Sequence, residues 1–311
     1  MDIKGRFNTP ILFMVFNRPD LALNVFEEIR KIKPAKLYIS ADGPRANRAG
    51  EQEKCAKTRE IANLVDWECD LKTLFRKENI GCKMGVSTAI DWLFEHEEEG
   101  IILEDDSLPN QSFFYFCSEL LVKYRDVERV MEIGGNNFQP NLKYEGSYFF
   151  SRYSNMPGWA TWRRVWKKYD VQIKDFPNFL KENRIKKIFG SNPVQYYWLY
   201  KFWKVYKNKV DTWDYQWTYM CWDNDGITIF PTKNFISNIG YNNADAAHTT
   251  TGNDLLSEIK REEITEIVHP KEIKINYEVD KGAEKVHPNI TYYKKIVSWA
   301  FITCVRLNLI K

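Results

Sequence analysis

The chain lacks the groupings that announce a redox or zinc centre. Its six cysteines (Cys55, Cys69, Cys82, Cys117, Cys221, Cys304) contain no CxxC or other ligand spacing. They are scattered like small buried hydrophobes in a reducing compartment. Histidine is scarce, and three of the four (His96, His269, His287) have no supporting context. Neither sign of charge dominates: 45 basic and 42 acidic side chains leave a net +3, which excludes a global basic field for nucleic acid. There are no repeats, low-complexity tracts or flexible linkers. The opening MDIKGRFNTP has no apolar signal-peptide core, so a cytoplasmic protein is expected. The apolar run Ile296–Val305 is too short to span a bilayer as a helix.

What is abundant is apolar and aromatic. Hydrophobic residues make up 44% of the 311, enough for one large core or two smaller ones. Many aromatics lie between Phe113 and Trp222, where they serve core packing and stacking surfaces alike. Residues 9–106 read as alternating strands and helices. Strands are expected at Ile11–Phe16, Lys36–Ser40, Leu71–Arg76 and 101–103, and helices at 20–31, 51–65 and 85–96, with Asp20 as the first N-cap. This order predicts an α/β fold with a mostly parallel sheet flanked by helices and right-handed crossovers. Further on, a helix is expected at Phe113–Tyr124, strands at Val130–Gly134 and Ile227–Phe230, and interrupted helix over 179–209. The expected organisation is one unit over 1–255, its 9–135 half binding nucleotide and its 136–255 half facing acceptor, then a C-terminal extension over 256–311.

The densest chemistry is Glu104-Asp105-Asp106, capping the apolar run Ile101-Ile102-Leu103. Carboxylates at a strand exit project into the crevice where α/β sheets bind ligands. Crowded like charges are best tolerated beside a cation, and a hard divalent metal that itself holds phosphates suits them; an acidic loop is the plainer alternative. Asn17-Arg18, Asp42, Asn79–Lys83 and Asn136-Asn137 also follow strands or fill irregular loops, and parallel topology gathers strand ends at one edge. Arg18 and Asp42 have the donors and acceptors to read a planar base, or else an ion pair and a turn to serve. His248 is either a metal ligand or a surface residue. Asp214, among Trp213, Tyr215 and Trp217, has the character of a general base beside a water-excluding wall. Asp223-Asn224-Asp225-Gly226 reads as a turn before a strand.

In order, the motifs Phe16-Asn17-Arg18-Pro19, Ser40-Ala41-Asp42-Gly43, Asn79-Ile80-Gly81 to Leu93, Ile102–Asp106, Pro157–Trp162, Trp213-Asp214 and Ala247-His248-Thr249 resemble a GT-A nucleotide-sugar glycosyltransferase. Specifically they resemble the branch containing N-acetylglucosaminyltransferase I and its bacterial polysaccharide-cluster relatives, and the resemblance covers about residues 9–250. It implies a Rossmann-like GT-A sheet with a C-terminal acceptor-side region and a helical tail. By resemblance, Arg18 and Asp42 hold the uracil and ribose of a UDP-sugar, Glu104 and Asp105 the ribose and donor sugar, and Trp159 lies in a loop closing beside that sugar. Asp106, with His248, is the implied ligand of Mn²⁺ or Mg²⁺, and Asp214 the implied catalytic carboxylate.

The expected activity is inverting transfer of a hexosyl or N-acetylhexosaminyl group from a nucleotide-sugar donor to a glycan or lipid-linked glycan acceptor, in bacterial surface polysaccharide synthesis. Two alternatives stand beside it. One is a non-catalytic carbohydrate- or membrane-binding, haemolysin-like protein. The other is a sugar-nucleotidylyltransferase, which usually opens with a Gly-rich loop that Phe16–Pro19 lacks. Residues 281–311 carry six basic side chains against Glu284, a balance of +5 that leaves −2 for the rest. This segment either lies on an anionic membrane surface, making the protein peripheral at the inner face, or docks on the core.

Overall fold

The computed structural model describes residues 5–137, 139, 142–190, 193–240, 259–286 and 292–307. The first hundred residues alternate as expected: β1 (Ile11–Val15), α1 (Pro19–Ile32), β2 (Lys36–Ala41), α2 (Glu51–Arg59), β3 (Asp70–Phe75), α3 (Gly81–His96) and β4 (Glu99–Glu104). β1 is buried at every position, which is why it reads as a continuous apolar run rather than an alternating one. The start of α1 departs from the expectation for Asp20. Pro19 takes the first helical position, with Arg18 as N-cap and Asp20 inside the first turn. Pro is preorganised for that place and has no N–H to lose.

The second half supplies β5 (Ser107–Pro109), α4 (Gln111–Lys123), β6 (Val130–Gly134), β7 (Tyr148–Ser151), β8 (Trp159–Trp162) and α5 (Arg163–Trp166). Then come α6 (Phe176–Lys181), α7 (Lys186–Phe189), α8 (Val194–Tyr206), α9 (Asp214–Asp223), β9 (Ile227–Pro231) and β10 (Ile236–Asn238). Eight strands form one sheet in the order β3-β2-β1-β4-β8-β6-β9-β7, while β5 and β10 pair separately. β3, β2, β1 and β4 are mutually parallel. β8 runs antiparallel to both β4 and β6, and β9 is parallel to β6. Two reversals restore the direction, so β6 and β9 point the same way as β4.

Register then fixes the functional edge. Val15 pairs with Ala41 and Met14 with Glu104. The segments leaving β1, β2 and β4 therefore emerge side by side, with the exit of β6 on the same edge.

Pro157–Trp162 was expected as a closing loop, and here the structure corrects the expectation. Trp159–Trp162 is a central strand, paired with Ile102 on one side and Gly134 on the other. Trp and the β-branched Thr161 are well suited to a pleated, buried surface.

The two larger of three apolar clusters among the described residues share one helix. The first fills both faces of the sheet, and the second is an aromatic cluster including Phe179, Trp198, Phe202 and Trp222. Helix α9 is buried on nearly all sides, giving Trp217 and Met220 to the first and Tyr219 and Trp222 to the second. Two helices close the chain, Tyr277–Val286 and Tyr292–Arg306. The last packs on α8, with Phe301 5.1 Å from the Tyr200 ring and 4.6 Å from Trp203. No helix among the described residues is long and apolar enough to cross a membrane.

Candidate active site

A cleft of about 950 Å³ opens at the functional edge, lined by six carboxylates (Asp42, Glu104, Asp105, Asp106, Asp211, Asp214) and four cationic side chains (Arg18, Arg45, Arg76, Lys201). Excess negative charge in a partly dry site favours a ligand that brings cations with it.

Arg18 faces the acidic triplet. Its Nη1 donates to Asp106 Oδ2 at 3.0 Å and its Nε to Asp105 Oδ2 at 3.3 Å, while Nη2 donates to Asp105 Oδ1. Asp105 is almost wholly buried and is pushed up to about 6 by burial, against the pull of Arg18. Two of these contacts make Arg18 and Asp105 a bidentate pair, and the third ties Asp106 to the same guanidinium. Arg18 lines the cleft, and its described contacts are to these acids.

The Glu104 carboxylate accepts no hydrogen bond among the described residues, although its backbone lies in the β4 ladder. Burial, followed by repulsion from Asp106 and Asp105, pushes its carboxyl up to about 8. Asp106 keeps one oxygen outside its ion pair with Arg18. Glu104 and the second oxygen of Asp106 are hard oxygen donors in a crowded acidic corner, the donor type that Mg²⁺ or Mn²⁺ takes, although the described residues include no group of three or more His, Cys, Asp or Glu side chains placed to hold a metal. His248 lies within 241–258, outside the described residues. The chain enters that stretch hard against the acids: a Cβ on Gly240 would stand 2.5 Å from Asp106 Oδ2.

Asp42 accepts the Gly43 N–H at 2.9 Å and the Ile80 N–H at 3.1 Å, so it fastens its own turn to the segment before α3. Burial raises its carboxyl above the ordinary value, partly offset by these N–H donors and by Arg76. Gly43 is required there because a Cβ would sit 2.4 Å from the Glu78 backbone. Helix α3 begins at Gly81, four residues earlier than the sequence pattern suggests, and a distant residue caps it. Asp211 accepts the N–H groups of Cys82 at 3.0 Å and Lys83 at 2.9 Å. Lys83 Nζ reaches Asn208 Oδ1 at 2.5 Å.

Asp214 opens α9. Its Oδ1 accepts the Tyr215 N–H at 2.9 Å and the Thr212 hydroxyl, whereas Oδ2 has no partner among the described residues. Asp214 lines the same cleft as the triplet and adds to the repulsion felt by Glu104. Behind it, Trp213 stacks on Trp159 with centroids 5.6 Å apart and 19° between planes, and Trp159 meets Trp217 at 4.8 Å. Trp159 is only 1% exposed and does not line the cleft. The direct contact expected of it with a donor sugar is replaced by support for the wall that carries Asp214.

Three residues important to this geometry carry no local sequence signal. Asp211 acts across more than a hundred residues. Arg76, donating to Ser40 Oγ at 3.1 Å and Thr88 Oγ1 at 2.7 Å, lines the cleft as a cation whose donors go to hydroxyls. Glu132, central on β6 and without exposed surface, accepts the Asn155 N–H at 3.0 Å and the Trp217 indole N–H at 2.6 Å. It thereby ties α9 and the Asn155–Pro157 wall to the sheet.

No protein-family model matches the chain, and no curated protein sequence matches it. Solved structures with an overlapping outline include a UDP-glucose pyrophosphorylase complexed with UDP-glucose, at 9% identity and TM-score 0.39, covering 75% of this chain and 94% of that one. HddC from Yersinia pseudotuberculosis overlaps at 7% identity and TM-score 0.31, covering 55% and 86%. The WbbM bifunctional glycosyltransferase overlaps at 9% identity and TM-score 0.31, covering 73% of this chain and 46% of that one. At such scores the overlap assigns no activity to this chain.

Proposed function

We propose that this protein transfers a sugar from a nucleotide-sugar, with UDP as the expected nucleotide, to a hydroxyl of a glycan or lipid-linked glycan, with inversion at the anomeric carbon. The observation that carries this reading is the arrangement inside one cleft. Asp214, with an unclaimed carboxylate oxygen, stands on one wall, and Glu104 and Asp106 stand at the exit of β4.

Asp214 acts as the general base. Its Oδ1 is fixed by Thr212 and by the N–H of Tyr215, which leaves Oδ2 to take the acceptor hydroxyl proton. The stacked Trp213 and Trp159 form an apolar backing that limits competing water. Arg18 holds Asp105 and Asp106 in place, and Arg76 and Lys201 are placed to meet negative charge on the leaving nucleotide. Glu104 and Asp106 would hold Mn²⁺ or Mg²⁺, whose Lewis acidity neutralises charge developing on a diphosphate. Proton removal by a single carboxylate opposite the leaving group is the chemistry of one displacement, hence inversion.

The test is donor binding followed by turnover. Thermal-shift screening of nucleotide-sugars with Mn²⁺ should find a stabilising donor. Asp106→Ala should lose metal-dependent donor binding, whereas Asp214→Asn should retain binding and lose nucleotide release. Tight metal-dependent donor binding by Asp106→Ala, or undiminished turnover by Asp214→Asn, would overturn the assignment.

A further inference from the structure

From Ile296 to Val305 the C-terminal helix Tyr292–Arg306 carries no charged side chain and has large apolar residues on both faces. One face packs on the aromatic core: Ser298 and Ile302 are buried, and Phe301 and Val305 pack beside them. At helical spacing on the other face stand Ile296, Trp299, Ala300 and Thr303, continued by Leu307 just past the helix end. On that outer side Ile296 is 46% exposed, Trp299 50% and Leu307 64%, with Val297 at its margin 47% exposed. A surface helix ordinarily turns charged residues outward once its inner stripe is satisfied. A contiguous exposed patch of large apolar side chains marks an interaction surface.

Charge identifies the partner. Phe301 rests on Tyr200 and Trp203, and cations sit on those same two rings: Lys204 Nζ lies 6.0 Å from the Tyr200 centroid and Lys209 Nζ 4.4 Å from that of Trp203. Exposed Arg306 contributes a third, bonded to the neutral Asn183 side chain at 2.8 Å. Among the described residues none of the three is paired with a carboxylate. Apolar side chains flanked by uncompensated cations match the interface of a bilayer bearing anionic headgroups. A second copy of this chain fits less well, since a two-fold contact would bring cationic flanks against one another. At fifteen residues the helix is too short to cross a bilayer.

We propose that this outer face is a membrane-docking surface, lying in the interface of an anionic bilayer with Ile296, Trp299 and Leu307 inserted and Lys204, Lys209 and Arg306 at headgroup level. It holds the whole protein at the membrane without spanning it, and it does not depend on the chemistry assigned to the cleft.

The full chain is sedimented with vesicles of phosphatidylcholine alone or mixed with phosphatidylglycerol. Wild type should pellet with the mixed vesicles and release at high salt. The double variant Ile296→Glu/Trp299→Glu should lose at least about tenfold in partitioning, because two inserted side chains become charged at exposed positions that do not hold the fold. Lys204→Gln/Lys209→Gln should lose binding to the anionic vesicles with its thermal midpoint retained. Wild type that stays in the supernatant, glutamate variants that bind undiminished, or a wild-type dimer that the glutamate variant dissolves without any vesicle binding would each overturn the proposal.

Discussion

Glu132 makes a sharp prediction because it is a carboxyl with no exposed surface inside a sheet. Burial pushes it up from an ordinary value of 4.5 to about 8, offset in part by the N–H groups of Asn155 and Trp217. Between those two values the folded protein keeps a proton that the unfolded chain has already released. Its contribution to stability is therefore fully present below about pH 4.5, and it is lost as pH rises towards about 8. The slope approaches about 1.4 kcal/mol per pH unit, so from near pH 5 to near pH 8 the loss has a ceiling of about 4 kcal/mol. Glu132→Gln removes the titration. It also turns an amide N–H₂ towards one of the two donors, which forfeits one hydrogen bond and costs about 1 kcal/mol at every pH. The two stability curves should cross: the variant less stable near pH 5 and more stable near pH 8. Urea unfolding followed by circular dichroism across that range measures both proteins. Taking the difference cancels the Glu104 and Asp105 carboxyls, which titrate in both. Parallel curves would refute the account of Glu132 as a proton-holding buried acid.

Other changes follow from single contacts. Asp211→Ala uncaps two N–H groups of α3 and should lower stability by about 1–2 kcal/mol in urea unfolding, with weaker donor binding if α3 shapes the cleft. Gly43→Ala should be worse than an ordinary turn substitution, because its Cβ meets backbone rather than a movable side chain. A thermal midpoint unchanged by this substitution would contradict the close approach. Trp159→Ala empties a site between Trp213 and Trp217 and should cost about 3–5 kcal/mol. If donor affinity fell with no loss of stability, Trp159 would be a ligand contact rather than a support.

The parallel half was legible in the sequence because its physics is local. β1, β2 and β4 are apolar runs of strand length, and α1 and α3 carry helical spacing, so the arrival of Arg18, Asp42 and Glu104 at one edge follows from topology. The second half was less legible. Trp159–Trp162 carries a glycine and a proline just upstream, which signal a loop, and only its pairing with both β4 and β6 makes it a central strand. Roles were harder to read than positions. Arg18 and Asp42 are rich in donors and acceptors, but their described contacts are to Asp105, Asp106, Gly43 and Ile80. Asp211, Arg76 and Glu132 depend on partners far away in sequence, and no spacing rule reaches that far.

The tie between Asp211 and the start of α3 limits how the protein can move. Its two hydrogen bonds, joined by that of Lys83 to Asn208, lace the start of α3 to the loop that leads into Asp214. Jaws bound at the lip cannot swing apart as rigid bodies without first breaking those three bonds. The opening between Asp214 and the acidic corner is thus latched at one lip by contacts that no ligand has to supply.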